Sequence, residues 1–419
     1  MISRRLLLGI ALGAGCCTGH ALRTCFAQDD QTPPAASAAV PAAPAAAAVP
    51  SVALPPPISD TLKHSTSVAP KDPTLTAAIG AVAQAMADGS NPAGQSAARD
   101  WLVQNLVDSE GGLASQAYQY QYAAIIDEQL RRVIDHPVKG VPVLRLKIEA
   151  GLAAQEITQR TQNYALSQLV VTLAKDKSSP VALVGIQAAG QIIPILLTNP
   201  RANNYTVSLC DQIISDVKTF SDGPLAPIIS NDGYVAIYGA SFGHNVPLSQ
   251  IVQVIIPALL DLEDARAAIY TKMKPANPLA DADGLVTLLS LNFWSNNDPG
   301  ALVFSPKMQV RVLQTVSNLT ALTAHWAEAT PLGPDRTELI NALKKIGATL
   351  MTFSNPNNGA VPDQSLNNAA SALGQLGPAT LAEEITTAEF NLRAQLKTFA
   401  QSRDPNAVIA EPPQVASAP

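Results

Sequence analysis

The sequence predicts an all-α chain built from stacked antiparallel helix pairs. Between about residues 71 and 402, apolar residues recur at spacings of three and four, as they do on one face of a helix. Aromatic residues make up only 5% of this alanine-rich chain, a composition that favours closely packed helices over a sheet. In the first half of this region, proline follows a short polar turn at nearly equal intervals.

Residues 1–27 are typical of an export signal. Arg4 and Arg5 precede the apolar run 6–14, which is too short and too glycine-rich for a stable membrane span. Residues 3–8 resemble a twin-arginine signal, and an ordinary secretion signal is the alternative. Gly13 disfavours lipoprotein processing at Cys16. We expect cleavage after Ala27 and a location in the periplasm or outside a bacterial cell.

Cysteine usage and charge limit the classes of function. Only Cys210 remains after signal removal, so the mature chain has no internal disulfide and depends on its core for stability. Signal removal leaves 24 basic and 33 acidic residues, a net charge of −9. This acidity disfavours nucleic-acid binding and attachment to an anionic membrane surface. We expect no stable membrane span in the mature chain.

Alanine and proline dominate both ends of the mature sequence. In residues 31–57, repeated proline favours extended polyproline conformations, so we interpret residues 28–70 as a disordered tether or filler segment. Residues 403–419 form a second Ala/Pro-rich segment, also expected to be disordered. The helical repeat domain is therefore predicted to span residues 71–402.

Three apolar stripes illustrate the helical period within that domain, and proline and glycine divide it into an expected twelve to fourteen helices. The stripes comprise Ile125, Ile126, Leu130, Val133 and Ile134; Leu166, Leu169, Val170 and Leu173; and Val310, Val312, Leu313, Val316 and Leu319.

Four proline turns give the repeat its period. Pro92, Pro137, Pro180 and Pro224 are spaced 45, 43 and 44 residues apart. Each follows an apolar-striped segment and a short polar turn. Proline is tolerated in the first turn of a helix, where its missing N–H has no intrahelical partner to lose. One unit is therefore helix, tight turn, helix, and a single pair buries its apolar stripe only by stacking on its neighbours.

This period and one stretch of sequence resemble HEAT and armadillo repeats. In "DKSSPVALVGIQAAGQI", residues 176–192, an aspartate precedes the turn, Pro180 heads the helix, and Ala188 and Ala189 are expected to face the partner helix. "SPKMQVRVLQTVSNL", residues 305–319, is similar, whereas Ala182 departs from the arginine usual in such units. The resemblance covers residues 73–245 clearly and extends loosely to 402. It implies a right-handed α-solenoid that offers a concave surface to other proteins.

The segment "GASFG", residues 239–243, matches the G-x-S-x-G nucleophile elbow and offers an alternative. The elbow would use Ser241 as nucleophile, with His325 as base and Asp281, Asp283 or Asp298 as its partner. It also needs a preceding strand, for which residues 235–238 are the candidate, and a parallel sheet. The helical period instead predicts a helix here, which begins at Asn231 and Asp232 and ends near Gly239 and Gly243. Its apolar face would carry Tyr234, Ile237, Tyr238 and Phe242.

Other candidate residues have simpler interpretations. The histidines of the mature chain lack partners at metal-ligand spacing; they are His64, His136, His244 and His325. The D-x-D-G motif at residues 281–284 lacks the remaining ligands of a calcium loop. We expect this motif to cap a helix that starts at Leu285. Glu383 and Glu384 are expected to begin a helix. Tyr118, Tyr120 and Tyr122 are expected in the core, a small aromatic contact site being the alternative.

No catalytic, cofactor-binding or metal-binding residue is therefore assigned. The sequence favours an exported, non-catalytic scaffold that binds one or more proteins. The alternatives are a serine hydrolase that uses Ser241 and a structural envelope component that associates with itself.

Overall fold

A computed structural model describes residues 53–89, 91–137, 141–199, 202–240, 246–289, 294, 303–357 and 359–415. Within these residues the all-α prediction is confirmed, with fifteen helices and no strand. The one extended pairing there is an isolated bridge between Val107 and Leu113.

The helices follow one another with short connections, close to the expected number. They are α1 (Asp60–Lys63), α2 (Pro73–Ala87), α3 (Pro92–Gln104), α4 (Gln116–Asp135), α5 (Leu144–Thr161), α6 (Ser167–Ala174), α7 (Ser179–Leu197), α8 (Asn203–Thr219), α9 (Ala226–Ala240), α10 (Leu248–Gln250, a π-helical Ile251–Ile255 and Ile256–Tyr270), α11 (Pro278–Leu288), α12 (Pro306–Ala329), α13 (Pro334–Phe353), α14 (Gln364–Gly374) and α15 (Ala382–Arg403).

Polar caps and proline define many helix starts. The Asn91 side chain accepts a hydrogen bond from the Gly94 N–H at the start of α3, and Asn277 does the same for Ala280 in α11. The expectation that Asp281 caps a helix starting at Leu285 is therefore wrong, because α11 begins about two turns earlier, at Pro278.

The expected start of α9 is also wrong. Asn231 and Asp232 lie in its second turn, since this helix begins at Ala226.

The helices contact one another in a regular order. The even-numbered helices form one series in which each helix contacts the next, from α2 through α4, α6, α8 and α10 to α12. On the other side, α3, α5, α7 and α9 form a similar series, and α11 contacts α13. Each even-numbered helix from α2 to α12 also contacts the helix that follows it, so successive pairs contribute to two layers with one apolar core between them.

Proline marks the turns within these pairs. Pro92, Pro180, Pro278 and Pro334 occupy the first turn of the second helix of a pair. Pro137 and Pro224 do not, because α5 begins only at Leu144 and α9 only at Ala226.

The two HEAT-like stretches occupy different layers. Residues 176–192 lead into and form much of α7, in the odd-numbered layer, whereas residues 305–319 begin α12, in the even-numbered layer.

Packing extends beyond both expected boundaries of the helical domain. Ile58 and Val68 are buried in the segment predicted as linker, and Ala407 and Ile409 are buried in the segment predicted as tail. The signal sequence 1–27 and residues 28–52 lie outside the described residues. Among the described helices, one, Ser179–Leu197, has the length and apolarity of a membrane span, and it is mostly buried between its neighbours.

Candidate functional site

The most unusual chemistry in the described residues is a cluster of charged side chains inside the core. Glu263 and Arg266 come from α10, and Asp281 comes from α11. Arg266 is only 1% exposed, and both acids are equally well buried. Glu263 and Arg266 belong to the inward stripe of α10 that also carries Leu259 and Tyr270, because positions 259, 263, 266 and 270 recur at helical spacing.

Arg266 connects three helices. Its Nε donates to Asp281 Oδ1 at 2.7 Å, and its Nη2 makes a second ion-pair contact with the same carboxylate oxygen. Nη1 donates to the Ser230 carbonyl of α9 at 2.7 Å. The guanidinium lies over the Tyr234 ring, 4.9 Å from its centroid, where cation–π attraction adds to the ion pair. The Tyr270 hydroxyl donates to the second oxygen of Asp281, also at 2.7 Å.

Glu263 is much less well paired. Its Oε2 lies 3.6 Å from Arg266 Nε, and neither carboxylate oxygen accepts a hydrogen bond from any described residue. The Tyr234 hydroxyl is likewise without a hydrogen-bond partner among the described residues. Both groups press against Gly284, where an added Cβ would lie 2.7 Å from the Tyr234 hydroxyl oxygen and 3.2 Å from Glu263 Oε1.

Burial determines the protonation of this cluster. Loss of water raises the pKa of Glu263 well above its usual value, and the neighbouring Asp281 charge raises this pKa further while Arg266 opposes the change. Burial also raises the pKa of Asp281, but Arg266 and the Tyr270 hydroxyl stabilise its charged form. Arg266 therefore pairs with the charged form of Asp281, whereas burial favours the protonated form of Glu263. With Glu263 protonated, the buried cluster would carry no net charge.

The space beside the cluster does not accommodate a substrate. A cleft lined by Ser230, Arg266, Tyr270 and Asn277 has a volume of about 10 Å³, which is about the space of one water molecule. The arrangement therefore joins α9, α10 and α11, and the cleft beside it has room for about one water molecule.

The candidate hydrolase residues are dispersed or lie outside the described residues. Ser241 and Asp298 belong to the undescribed positions. Residues 235–238, the candidate strand, form part of α9. Asp281 pairs with Arg266, whereas Asp283 pairs with Lys345 of α13.

His325 is exposed on α12, and its ring lies 5.9 Å from that of Trp326.

The remaining histidines and the lone cysteine form no described metal site. His64 Nε2 lies 3.2 Å from Asp108, His136 ends α4 at the surface, and His244 lies outside the described residues. No group of three potential metal ligands occurs among the described residues, and the D-x-D-G motif lies inside α11. Cys210 is buried, and burial raises the pKa of its thiol to about 12, so the thiol is protonated at neutral pH.

The tyrosine prediction is confirmed for two of three residues. Tyr118 and Tyr122 are buried and stacked at 5.2 Å, and their hydroxyls donate to the Asn105 and Leu102 carbonyls of the preceding helix and its C-terminus. Tyr120 is exposed and meets the edge of Tyr164.

The expected helix start at Glu383 and Glu384 is confirmed. Both lie in the first turn of α15, and Glu384 accepts a hydrogen bond from the Leu381 N–H at 3.2 Å.

The cluster was not found from the sequence, although a signal was present. The charges of Glu263 and Arg266 fall on an apolar stripe, which predicts burial and hence a buried partner such as Asp281.

Comparisons with protein-family models, with curated proteins and with solved structures found no match to this chain.

Proposed function

We propose that this protein is an exported, non-catalytic α-solenoid that serves as a protein-interaction scaffold. The observation that carries the proposal is the order of helix contacts. Helices contact neighbours one and two places along the chain, which is the pattern of stacked helix pairs and matches the 43–45-residue proline spacing. The HEAT-like resemblance adds the expectation of a right-handed superhelix. The scaffold function is inferred from the fold by analogy.

Ion pairs between neighbouring helices of one layer support the solenoid. Arg311 of α12 pairs with Asp261 and Asp264 of α10, the preceding helix of the even-numbered layer. In the other layer, Lys345 of α13 pairs with Asp283 of α11. Such pairs fix the register of stacked units, although each contributes little to stability at the surface.

The odd-numbered layer supplies the proposed binding face. α7 contains no charged residue, and α9 contains only Asp232. Val235 of α9 and Val286 of α11 are 45% and 41% exposed, and the Tyr238 side chain of α9 hydrogen-bonds Thr287 of α11. Exposed apolar residues on neighbouring helices are typical of protein-interaction surfaces. The partner is therefore expected to be a protein with a complementary apolar patch.

Surface substitution in the full exported chain tests this function. Val235→Glu with Val286→Glu should abolish partner recovery after in-cell crosslinking, because two carboxylates would be desolvated in the interface. Leu332→Glu is the control, since Leu332 is a highly exposed loop residue between α12 and α13. Recovery of the same partners from all three proteins would contradict the assigned face.

The serine hydrolase is a second candidate that rests on the G-x-S-x-G match at Ser241 alone, because residues 235–238 belong to α9 and the described residues contain no strand for the elbow. A fluorophosphonate probe should label the unmodified chain and not Ser241→Ala if this function is correct. Absence of label on both proteins would eliminate the hydrolase function.

The self-associating envelope component is the third candidate. If it is correct, sedimentation velocity of the purified chain should show concentration-dependent oligomers without any added partner.

A further inference from the structure

The C-terminal Ala/Pro-rich segment lies against the helical body as an extended peptide. After α15 ends at Arg403, the Ala407 N–H donates to the Asp404 carbonyl at 2.8 Å, and the Asn406 N–H donates to the Asp404 side chain at 2.9 Å. This turn redirects the chain, and residues 407–415 then run without helix.

One side chain of α12 binds the backbone of this segment at two points. Gln314 Oε1 accepts a hydrogen bond from the Ala410 N–H at 2.6 Å, and Gln314 Nε2 donates to the Ala410 carbonyl at 3.1 Å. The side-chain amide thus pairs with a residue as a neighbouring strand would. Such pairing recognises an extended backbone and does not depend on which side chain residue 410 carries.

Selectivity comes from the flanking side chains. Ala407 and Ile409 are buried while Val408 is 76% exposed, so alternate residues face the body. Glu411 pairs with Arg393 of α15. Pro412 and Pro413 follow and lack the N–H groups needed for further pairing.

The surface under the segment is held by bonds of its own. Arg403 Nε donates to Gln309 Oε1 at 3.0 Å, and Gln309 Nε2 donates to the Phe304 carbonyl at 3.0 Å. The segment, in contrast, is anchored by the buried Ala407 and Ile409, by the Gln314 amide and by Glu411, which is largely exposed. A region with so few buried contacts opens locally without unfolding the rest.

The other end of the body binds a proline-rich segment in a similar way. Trp101 Nε1 donates to the Pro55 carbonyl at 2.9 Å, and the Ile58 N–H donates to Asn105 Oδ1 at 2.8 Å. At both ends, polar side chains on a helix therefore bind the backbone of an extended segment that contains consecutive prolines.

We propose that the surface formed by Gln314 of α12 and Arg393 of α15 is a binding site for extended segments of other proteins. The segment would carry a small residue, a spacer, a branched aliphatic residue, a residue with a free N–H and an acid, followed by proline. The chain's own residues 407–413 occupy the site and are displaced by such a partner. Main-chain pairing gives this recognition mode its affinity, and the alternate side chains give its specificity. The proposal rests on the scaffold function and names a partner class for it.

The test uses the full chain with the segment released by Ile409→Asp and Glu411→Lys. A fluorescein-labelled peptide of residues 404–415 is titrated and its anisotropy recorded. We expect saturable binding to the released chain and at least tenfold weaker binding to the unmodified chain, whose site is occupied. Adding Gln314→Leu to the released chain should weaken binding at least tenfold. Gln364→Leu, an exposed position on α14, is the matched control and should change nothing.

The proposal is overturned if the released chain, with an unaltered circular dichroism spectrum, fails to bind the peptide or binds it equally well with Gln314→Leu. If the double variant has altered dichroism, Glu411→Lys alone gives the same comparison. A dimer of the unmodified chain that the peptide dissociates would also overturn it, because the occupant would then be a second copy's segment. None of these outcomes alters the Val235 and Val286 test of the scaffold function.

Discussion

Two buried glutamates in this protein have opposite surroundings. Glu149 of α5 accepts hydrogen bonds from the Ser96 hydroxyl at 2.8 Å and from Arg99 Nη1 at 3.0 Å, and Arg145 lies 3.5 Å away. Glu263 has one arginine at 3.6 Å, shared with Asp281, and accepts no hydrogen bond from the described residues.

The difference shows how the same residue type is tolerated in two ways. At Glu149 two arginines face the buried acid, Arg99 also pairs with the exposed Asp100, and both guanidiniums reach solvent, so water stabilises their charges. At Glu263 the surplus charge is acidic and sealed from water, so burial favours the protonated, neutral carboxyl. The first arrangement therefore contributes an ion-pair network between α3 and α5. The second connects three helices but depends on one arginine.

Removing that arginine should have the largest effect. We expect Arg266→Met to lower the free energy of unfolding by about 3–5 kcal/mol, because Asp281 then stays buried without a countercharge. Arg99→Met is the matched control at the other glutamate and should cost about 1 kcal/mol, since Arg99 is partly exposed and Arg145 remains. Urea unfolding at pH 7 measures both. Equal losses of unfolding free energy would mean that the deeper burial of Arg266 does not make its cluster more sensitive to removal of an arginine.

The second prediction concerns pH. Burial raises the pKa of Glu263 in the folded chain above its ordinary value of 4.5. The contribution of Glu263 to the free energy of unfolding is therefore complete below pH 4.5, and it falls as pH rises from there to the raised pKa of the folded chain. Glu263→Gln carries no titrating group there. Relative to the variant, the original chain should therefore lose up to about 1.4 kcal/mol of unfolding free energy per pH unit within that window.

Unfolding curves from pH 4 to pH 8 test this difference. Tyr234→Phe is the control, because it removes the adjacent unpartnered hydroxyl without removing the acid, and it should leave the pH slope unchanged. A Glu263→Gln slope that matches the original chain would show that Glu263 does not titrate in this window.

A third, smaller effect tests how tightly the cluster is packed. In Gly284→Ala the new Cβ would lie 2.7 Å from the Tyr234 hydroxyl oxygen, so we expect a loss of about 1–3 kcal/mol. Gly239→Ala in α9 meets nothing within 4 Å and should instead stabilise the chain by about 0.5–1 kcal/mol through helix propensity. Thermal unfolding of the two variants checks the opposite signs, and a stabilised Gly284→Ala would mean that the cluster relaxes freely.

The two glutamates also show what the sequence reveals and what it does not. Helical spacing and proline turns predicted the helices and the pairing of α2 with α3 and of α6 with α7, because these depend on local periodicity. The Arg266–Asp281 contact joins residues fifteen positions apart, and the Arg266–Ser230 contact joins residues thirty-six apart, both through packing of separate helices. The docking of residues 407–410 was missed because the composition of this segment says nothing about a side chain such as Gln314, which binds Ala410 across ninety-six positions of the chain.

The smallest expected effect is at the solvent edge of the Glu149 cluster. Arg145 is about half exposed and lies 3.5 Å from Glu149, which already has Arg99 and Ser96 as closer partners. Arg145→Ala should therefore cost between about 0 and 1 kcal/mol in urea unfolding, and 1 M salt should reduce that cost further by screening. A loss as large as that of Arg266→Met would show that both guanidiniums are needed at Glu149, which would make the two glutamates equally dependent on each arginine.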